Sequence, residues 1–579
     1  MVRFHDLRKK FHDNVRSASL SYSYRPMKDK VPYAAPLAIG LLLLAAVLVL
    51  LPSGLLFDFG WNRDRNRGGA GDTDPWGKGP RLEENQEAAS LVSGDPSDSL
   101  LAALLAQLAS KNAPDNEAIL TFKDEAALKD FLARANAAGL KVLDTLGNSV
   151  RVGFDDLNAL RGDMRDHYGD YAGAGGNYDV YIPEVPQEER QQQSEVGFGE
   201  GALAFMGIKG NFTSYGKGVT IAVLDSGVTK HSTFTGARLK YIDVGQGLTG
   251  TADADGHATA VAALAAGAAP GSIGVAPSAD ILSIRVTGQD GTSDMFTLAK
   301  GIQAAADAGA KVINISLGAY QSSSVLTRAI DYAYERGAVI VAAAGNDQAG
   351  QLTWPAADSR VISVGGVDAL GQQLTFSNSG DQLQATAPGL ELQTAWPGNQ
   401  TTSFDGTSGS SPLMAGAIAA VLSQYPQLSA QQAAQLLTTY SADAGAPGRD
   451  SSFGWGTVDV GYALNANNPS YLDPSISSQH FDAERGVMEF VVQNRSGAAV
   501  DGLILGLNAV GIQSQVGVPA LAPGERWRHI VHIDPSRLLT EGELTYTSRL
   551  INPNGLTDQN PGNNRKGSVV FKPSETPAR

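Results

Sequence analysis

Cysteine is absent from the 579 residues, which excludes disulfides, a thiol nucleophile and zinc–thiolate sites together. Positive charge is scarce: 44 Lys and Arg stand against 59 Asp and Glu, a net charge of −15. No basic stripe is available to neutralise phosphates, so nucleic acid is not expected as a partner. Charged residues make up only 18% against 42% hydrophobic, the balance of a globular chain rather than a disordered one. The length exceeds one ordinary core and suits three or four domains. The 66 glycines fit a loop-rich α/β protein.

Near the N-terminus, residues 1–30 form a basic tail with Arg3, Arg8, Lys9, Lys10 and Arg16, and an uncharged run from Val31 to Phe57 follows. About 20 apolar residues span a bilayer as a helix. Excess Lys and Arg before the span place the tail in the cytoplasm and everything after it outside. The expectation is a single-pass anchor in the cytoplasmic membrane over 31–57, with the lipid bilayer as partner. A cleaved signal peptide is the competing reading, but Leu51-Pro52-Ser53-Gly54 offers no small-x-small cleavage site. From 58 to 116 the chain is polar and rich in Gly, Asp and Pro, as expected of a flexible linker. Within it Ser99–Ser110 can form a short Leu/Ala helix that packs on the next domain.

Residues 117–183 alternate in another way. Ala118–Phe122 reads as a strand and Lys123–Ala138 as an amphipathic helix. Lys141–Leu146 and Ser149–Phe154 form a hairpin across Gly147-Asn148, Asp155–Tyr168 a second helix, and Asn177–Ile182 a last strand. That order, βαββαβ, is the ferredoxin-like α+β arrangement. A polar stretch, 184–200, leads to a segment from 201 to 466 in which apolar strands alternate with helices. Strands are expected at Val219–Leu224, Asp280–Val286, Lys311–Leu317, Val339–Ala344 and Val361–Val367. This is the pattern of a parallel sheet with helices on both faces. Beyond Asn468-Pro469 the period shifts to two. Val487–Val492, Leu544–Tyr546 and Ser568–Phe571 suggest a small immunoglobulin-like β-sandwich over 471–575.

Three segments of 201–466 carry chemistry: Val223-Leu224-Asp225-Ser226-Gly227, Asp255-Gly256-His257-Ala258-Thr259 and Gly406-Thr407-Ser408-Gly409-Ser410. In that order they supply a carboxylate, an imidazole and a hydroxyl. A serine hydroxyl is a poor nucleophile until a base takes its proton, and the base works best when a carboxylate holds its tautomer. The chain order Asp, His, Ser resembles that of the subtilisin family. The resemblance extends to Gly274-Val275-Ala276-Pro277, Asn314-Ile315-Ser316-Leu317-Gly318, Ala342-Ala343-Ala344-Gly345-Asn346, Trp354-Pro355-Ala356, Phe376-Ser377-Asn378-Ser379-Gly380 and Ala387-Pro388-Gly389.

The resemblance implies a serine endopeptidase acting on proteins or peptides. Ser408 would be the nucleophile, His257 the general base, Asp225 its orienting carboxylate and Asn346 the oxyanion donor. Loss of such an amide costs roughly 100- to 1,000-fold in turnover in subtilisin itself. Substrate would lie as an added strand beside Ser316, Leu317 and Gly318 and beside Gly288–Ser293, which includes Gly291, and Ser316–Gly318 with Ala343, Ala344 and Gly345 would line a mostly apolar primary pocket that favours a large apolar residue before the cut. Asp347 would instead draw a basic residue to the rim. The ferredoxin-like unit resembles the family's pro-domain, an intramolecular inhibitor removed by a cut between Pro183 and Phe198; a permanent regulatory domain is the alternative. No cofactor and no metal ligand set is read, though family members often bind structural calcium. His231 resembles a non-catalytic family position and is read as structural.

Departures from the family pattern are Ala258 and Ala260 beside the histidine, and Gly409, Ser410 and Leu413 after the serine. They leave open a catalytically weak or inactive peptide-binding or adhesion scaffold.

Overall fold

Strands covered by helices on both faces must be apolar on both sides. Thr220–Asp225, Val312–Ile315 and Val339–Ala343 meet that demand, being buried along almost their whole length. The computed structural model describes residues 96–571, apart from 110–113, 115, 187–194, 235–237, 246–255, 289, 483–484, 510–511, 553 and 556. The basic tail, the Val31–Phe57 run and most of the expected linker therefore lie outside the described residues. Among the described residues no helix is long and apolar enough to cross a membrane.

The central sheet is seven-stranded and parallel. Its order is Ala385–Pro388, Ile362–Val367, Val339–Ala343, Val312–Ile315, Thr220–Asp225, Asp280–Arg285 and Leu239–Asp243. The two outermost strands were not expected from the sequence. Alternate residues of one strand feed different cores: Ile221 and Val223 join helices His257–Ala266 and Thr407–Gln424. Ala222 and Leu224 face Met295–Asp307 and Ser324–Glu335 instead.

Before this unit stands a four-stranded antiparallel sheet in the order Leu140–Leu146, Ser149–Phe154, Glu117–Phe122, Tyr171–Gly175. Helices Glu125–Arg134 and Leu157–Asp166 are capped by the Asp124 and Asp156 carboxylates. Phe122, Phe131, Leu120 and Leu160 form the core, and helix Pro96–Leu108 adds Leu101, Leu104 and Leu108 to it. The last strand differs from expectation. Tyr171 packs against Phe122 and donates to the buried Asp163, fixing Tyr171–Gly175 in the sheet. The stretch expected there, Asn177–Ile182, leaves this unit: Asp179–Tyr181 pairs antiparallel with Thr292–Asp294, and Tyr178 and Val180 enter the neighbouring core.

Ion pairs cross the seam. Arg151 bridges Glu117 and Asp294, at 2.8 and 3.0 Å, and Lys300 meets Asp144 at 2.6 Å. Residues 195–199 of the polar stretch are also held. Glu195 accepts from Thr375, Phe198 is buried, and Gly199 N–H donates to the Glu391 carbonyl.

At the C-terminal end two antiparallel sheets enclose one core. One holds Pro474–Asp482, Val487–Asn494 and Arg526–His532; the other holds Ile512–Gly517, Ile504–Ala509, Glu543–Ile551 and Arg565–Phe571. This part is bolted to the parallel-sheet unit. Arg495, buried, pairs with Asp459 at the start of helix Val460–Asn465 and with Asp473.

Candidate active site

Asp225 ends a central strand, where open α/β sheets place ligands. Its buried carboxylate accepts from Ser226 N–H at 2.8 Å and from the Ser226 hydroxyl at 3.2 Å. His257 opens helix His257–Ala266 and sets Nδ1 2.9 Å from both Asp225 oxygens. The carboxylate therefore holds the proton on Nδ1 and leaves Nε2 as the basic nitrogen. The Phe404 ring, 5.4 Å away between centroids, lies beside the imidazole.

Ser408 lies in the first turn of helix Thr407–Gln424 and is almost fully buried. Its hydroxyl donates to the Ser316 carbonyl at 3.3 Å, and its own carbonyl accepts from the Ser316 hydroxyl at 3.0 Å. Ser316 is held in turn. The Asn314 amide donates to its hydroxyl at 3.1 Å, and Ser411 donates to Asn314 at 2.6 Å. A chain of polar groups thus fixes the start of the serine helix to the neighbouring strand.

Asn346 follows a central strand and is fully buried. Its Oδ1 accepts from Thr407 N–H at 3.0 Å and from the Thr407 hydroxyl at 2.8 Å. This clamp turns Nδ2 toward the cleft, where it donates to the Pro183 carbonyl at 3.0 Å. Gly406 precedes the clamp with φ 114°, and a Cβ there would come 3.0 Å from Asn346 Nδ2, so a side chain would crowd the donor. The sequence reading missed Thr407; its only signal was a hydroxyl residue adjoining the serine.

The residues expected to receive substrate pair through their backbone with the chain's own segment. Gly318 exchanges both hydrogen bonds with Tyr181, and the Gly291 carbonyl accepts from Ile182 N–H at 3.3 Å. The side chain of Leu317 is in the core, so this residue offers only its backbone. Ala343 and Ala344 are buried, and the Ala344 carbonyl accepts from Thr353 N–H and the Asn378 amide. Gly345 N–H donates to the Thr407 hydroxyl at 3.3 Å. Asp347 accepts from the Tyr320 hydroxyl at 2.5 Å, and burial together with that carboxylate pushes the phenol pKa up. His231 is spent structurally: Nδ1 accepts from Thr233 N–H, so Nε2–H donates to the Gln400 carbonyl. Among the described residues no cluster of three or more His, Asp or Glu could hold a metal ion.

The departures beside the serine are accommodated by their neighbours. A Cβ on Gly409 would meet Leu392 Cδ1 at 2.7 Å and Phe404 Cδ1 at 3.2 Å, so those side chains occupy the space a larger residue would need. Ser410 donates to the Ala387 and Pro388 carbonyls. Beside the histidine, Ala258 and Ala260 are fully buried.

A parallel sheet that brings a buried carboxylate onto an imidazole, with a serine-headed helix and a clamped amide nearby, defines an acyl-transfer enzyme: a serine endopeptidase using a catalytic triad. The sequence model of the subtilase family (Peptidase_S8) matches residues 216–456. Subtilisin DY of Bacillus licheniformis is 36% identical over 239 residues, which are 40% of this chain and 86% of that protein. Subtilisin Savinase of Lederbergia lenta is 36% identical over 219 residues, 37% of this chain and 80% of the relative. The chain belongs to the subtilase family. Among solved structures, the epidermin leader peptide processing serine protease (EpiP) from Staphylococcus aureus shares the fold. Its TM-score is 0.50 at 21% identity, over 61% of this chain and 98% of that one.

Proposed function

We propose that Ser408, His257, Asp225 and Asn346 carry the peptidase reaction, and that the enzyme is made as a membrane-anchored, self-processing precursor acting outside the cytoplasm. Ser408 adds to the scissile carbonyl as its proton passes to His257 Nε2. Asp225 stabilises the imidazolium, and Asn346 Nδ2 donates to the oxygen as charge develops on it. His257 then protonates the leaving amine, and water hydrolyses the acyl-enzyme by the same route in reverse. The observation that carries this assignment is the Asn346 amide on a peptide carbonyl at 3.0 Å, in the same cleft as the Asp225–His257 pair.

In this reading, residues 117–183 are a ferredoxin-like pro-domain extended by helix Pro96–Leu108, 184–200 the processing linker, 201–466 the catalytic domain and 471–575 an immunoglobulin-like β-sandwich. The strand order of the first unit, with its fourth strand beside its first, supports the pro-domain reading. Its docking through Arg151 and Lys300 supports an intramolecular inhibitor. The basic tail and the Val31–Phe57 run support the anchor.

Intact mass of the full chain over time, beside Ser408→Ala, tests the assignment. A cut between Pro183 and Phe198 in the wild type and none in the variant is expected. Equal cutting of both would remove Ser408 from the nucleophile role. Digestion of the catalytic region from the cytoplasmic side alone would reject the topology.

A further inference from the structure

The chain's own residues cross the active-site cleft. Tyr181 N–H donates to the Gly318 carbonyl at 3.1 Å and Gly318 N–H returns a bond at 2.9 Å. The pairing is antiparallel, so one position sums with its partner to a constant, and two residues further on Pro183 stands opposite Ser316. The Pro183 carbonyl accepts from Asn346 Nδ2 at 3.0 Å. Beyond it, Val185 packs on the small apolar cluster of Leu374, Phe376 and Leu390. Residues on both sides of Pro183–Glu184 are therefore seated, with the Pro183 carbonyl on the Asn346 amide.

Next to an alternating antiparallel ladder, the residue opposite Ser316 is due to give its N–H to the Ser316 carbonyl. Proline has no N–H to give. That carbonyl instead accepts from the Ser408 hydroxyl, at 3.3 Å. A hydroxyl carries one proton, and while it is donated to Ser316 it is not donated to His257.

Resting on the assignment of Ser408 made above, we propose that Pro183 is a built-in brake: the Pro183–Glu184 bond is the self-cleavage site, and the proline keeps its cleavage slow by leaving the Ser316 carbonyl to hold the nucleophile's proton. In the reaction Ser408 Oγ bonds to the Pro183 carbonyl carbon and its proton moves to His257. The C–N bond breaks, the Glu184 nitrogen takes that proton, and Pro183 is left as an ester on Ser408. Water then adds, giving a Pro183 carboxylate and a free serine hydroxyl. The Glu184 amine becomes a new N-terminus. Until that happens the segment fills the cleft and excludes other substrates.

The test follows the full chain by intact mass and by N-terminal sequencing of the new fragment. It compares wild type, Pro183→Ala, Pro183→Leu and Ser408→Ala, each also treated with a fluorophosphonate. Both replacements restore an N–H, and one hydrogen bond is worth about tenfold in rate. The expected result is a fragment beginning at Glu184 in wild type, formed about tenfold faster in both Pro183 variants and absent in Ser408→Ala. Labelling of Ser408 with a cut at another bond, or at an unchanged rate in the variants, would overturn the brake and leave the peptidase assignment standing. Acceleration by Leu but not by Ala would also overturn it, because side-chain fit rather than the N–H would then set the rate. Absence of both labelling and cutting in every chain would overturn the brake together with the assignment of Ser408.

Discussion

Replacing Thr407 by valine removes a hydroxyl at nearly constant shape, and it should slow the chemistry without touching the Asp225–His257 pair. The Thr407 hydroxyl donates to Asn346 Oδ1 at 2.8 Å, and Thr407 N–H donates to the same oxygen at 3.0 Å. Valine keeps the second bond and loses the first. A buried neutral hydrogen bond contributes about 1 kcal/mol, and the amide it orients is worth roughly 100- to 1,000-fold in turnover in subtilisin. Losing one of two restraints should therefore lower kcat about five- to tenfold and leave KM nearly unchanged, because the amide acts mainly on the developing oxyanion. Gly345 N–H also loses its acceptor, which costs about 1–3 kcal/mol of stability. The assay is steady-state peptide hydrolysis by wild type, Thr407→Val, Asn346→Ala and the double variant, each after intact mass shows that its precursor has been cut. Thr407 works through Asn346, so the double variant should match Asn346→Ala alone. An undiminished kcat in Thr407→Val would refute the clamp. So would a further five- to tenfold loss in the double variant, since it would show a role independent of the amide.

Two further outcomes follow from packing and charge. Gly409→Met places a side chain where Leu392 and Phe404 already stand, and overpacking of this kind costs about 1–3 kcal/mol. The variant should melt earlier and lose activity together, whereas unchanged melting would show that the two side chains can move aside. Burial lowers the Lys566 ammonium from 10.5 to about 8, opposed by the Asp443 carboxylate. Between those values the unfolded chain keeps a proton that the native chain has released, so stability should rise as pH climbs through that window. Urea unfolding of wild type and Lys566→Met across the window checks this; parallel curves would refute it.

The groups proposed to react were legible in the sequence because each sits in a short, chemically constrained segment. Asp225 ends an apolar strand, His257 and Ser408 open small-residue helices, and Asn346 follows a strand of Val and Ala. Strands of the parallel sheet stood out where they are apolar on both faces. Leu239–Asp243 did not, since it is an edge strand with Lys240 and Tyr241 exposed. In the C-terminal part, Val487–Asn494 is buried throughout and was found, whereas Ile512–Gly517 is mostly exposed and carries little pattern. The helix Pro96–Leu108 showed its leucines, but local spacing could not say that Leu104 would be fully buried in the four-stranded unit.

Order and chemistry of residues thus determined the reaction class, because a nucleophile, a base and an oxyanion donor need particular side chains at particular ends of strands and helices. Partners far apart in the chain were decided only in three dimensions. Asn177–Ile182 scans as one more strand of the first unit, yet its edge pairs with Thr292–Asp294 and Gly318. Pro183 scans as the last residue before a polar linker, yet it is buried beneath the Asn346 amide. Backbone hydrogen bonds across more than a hundred residues depend on which surface a strand meets, and no local pattern of side chains encodes that meeting.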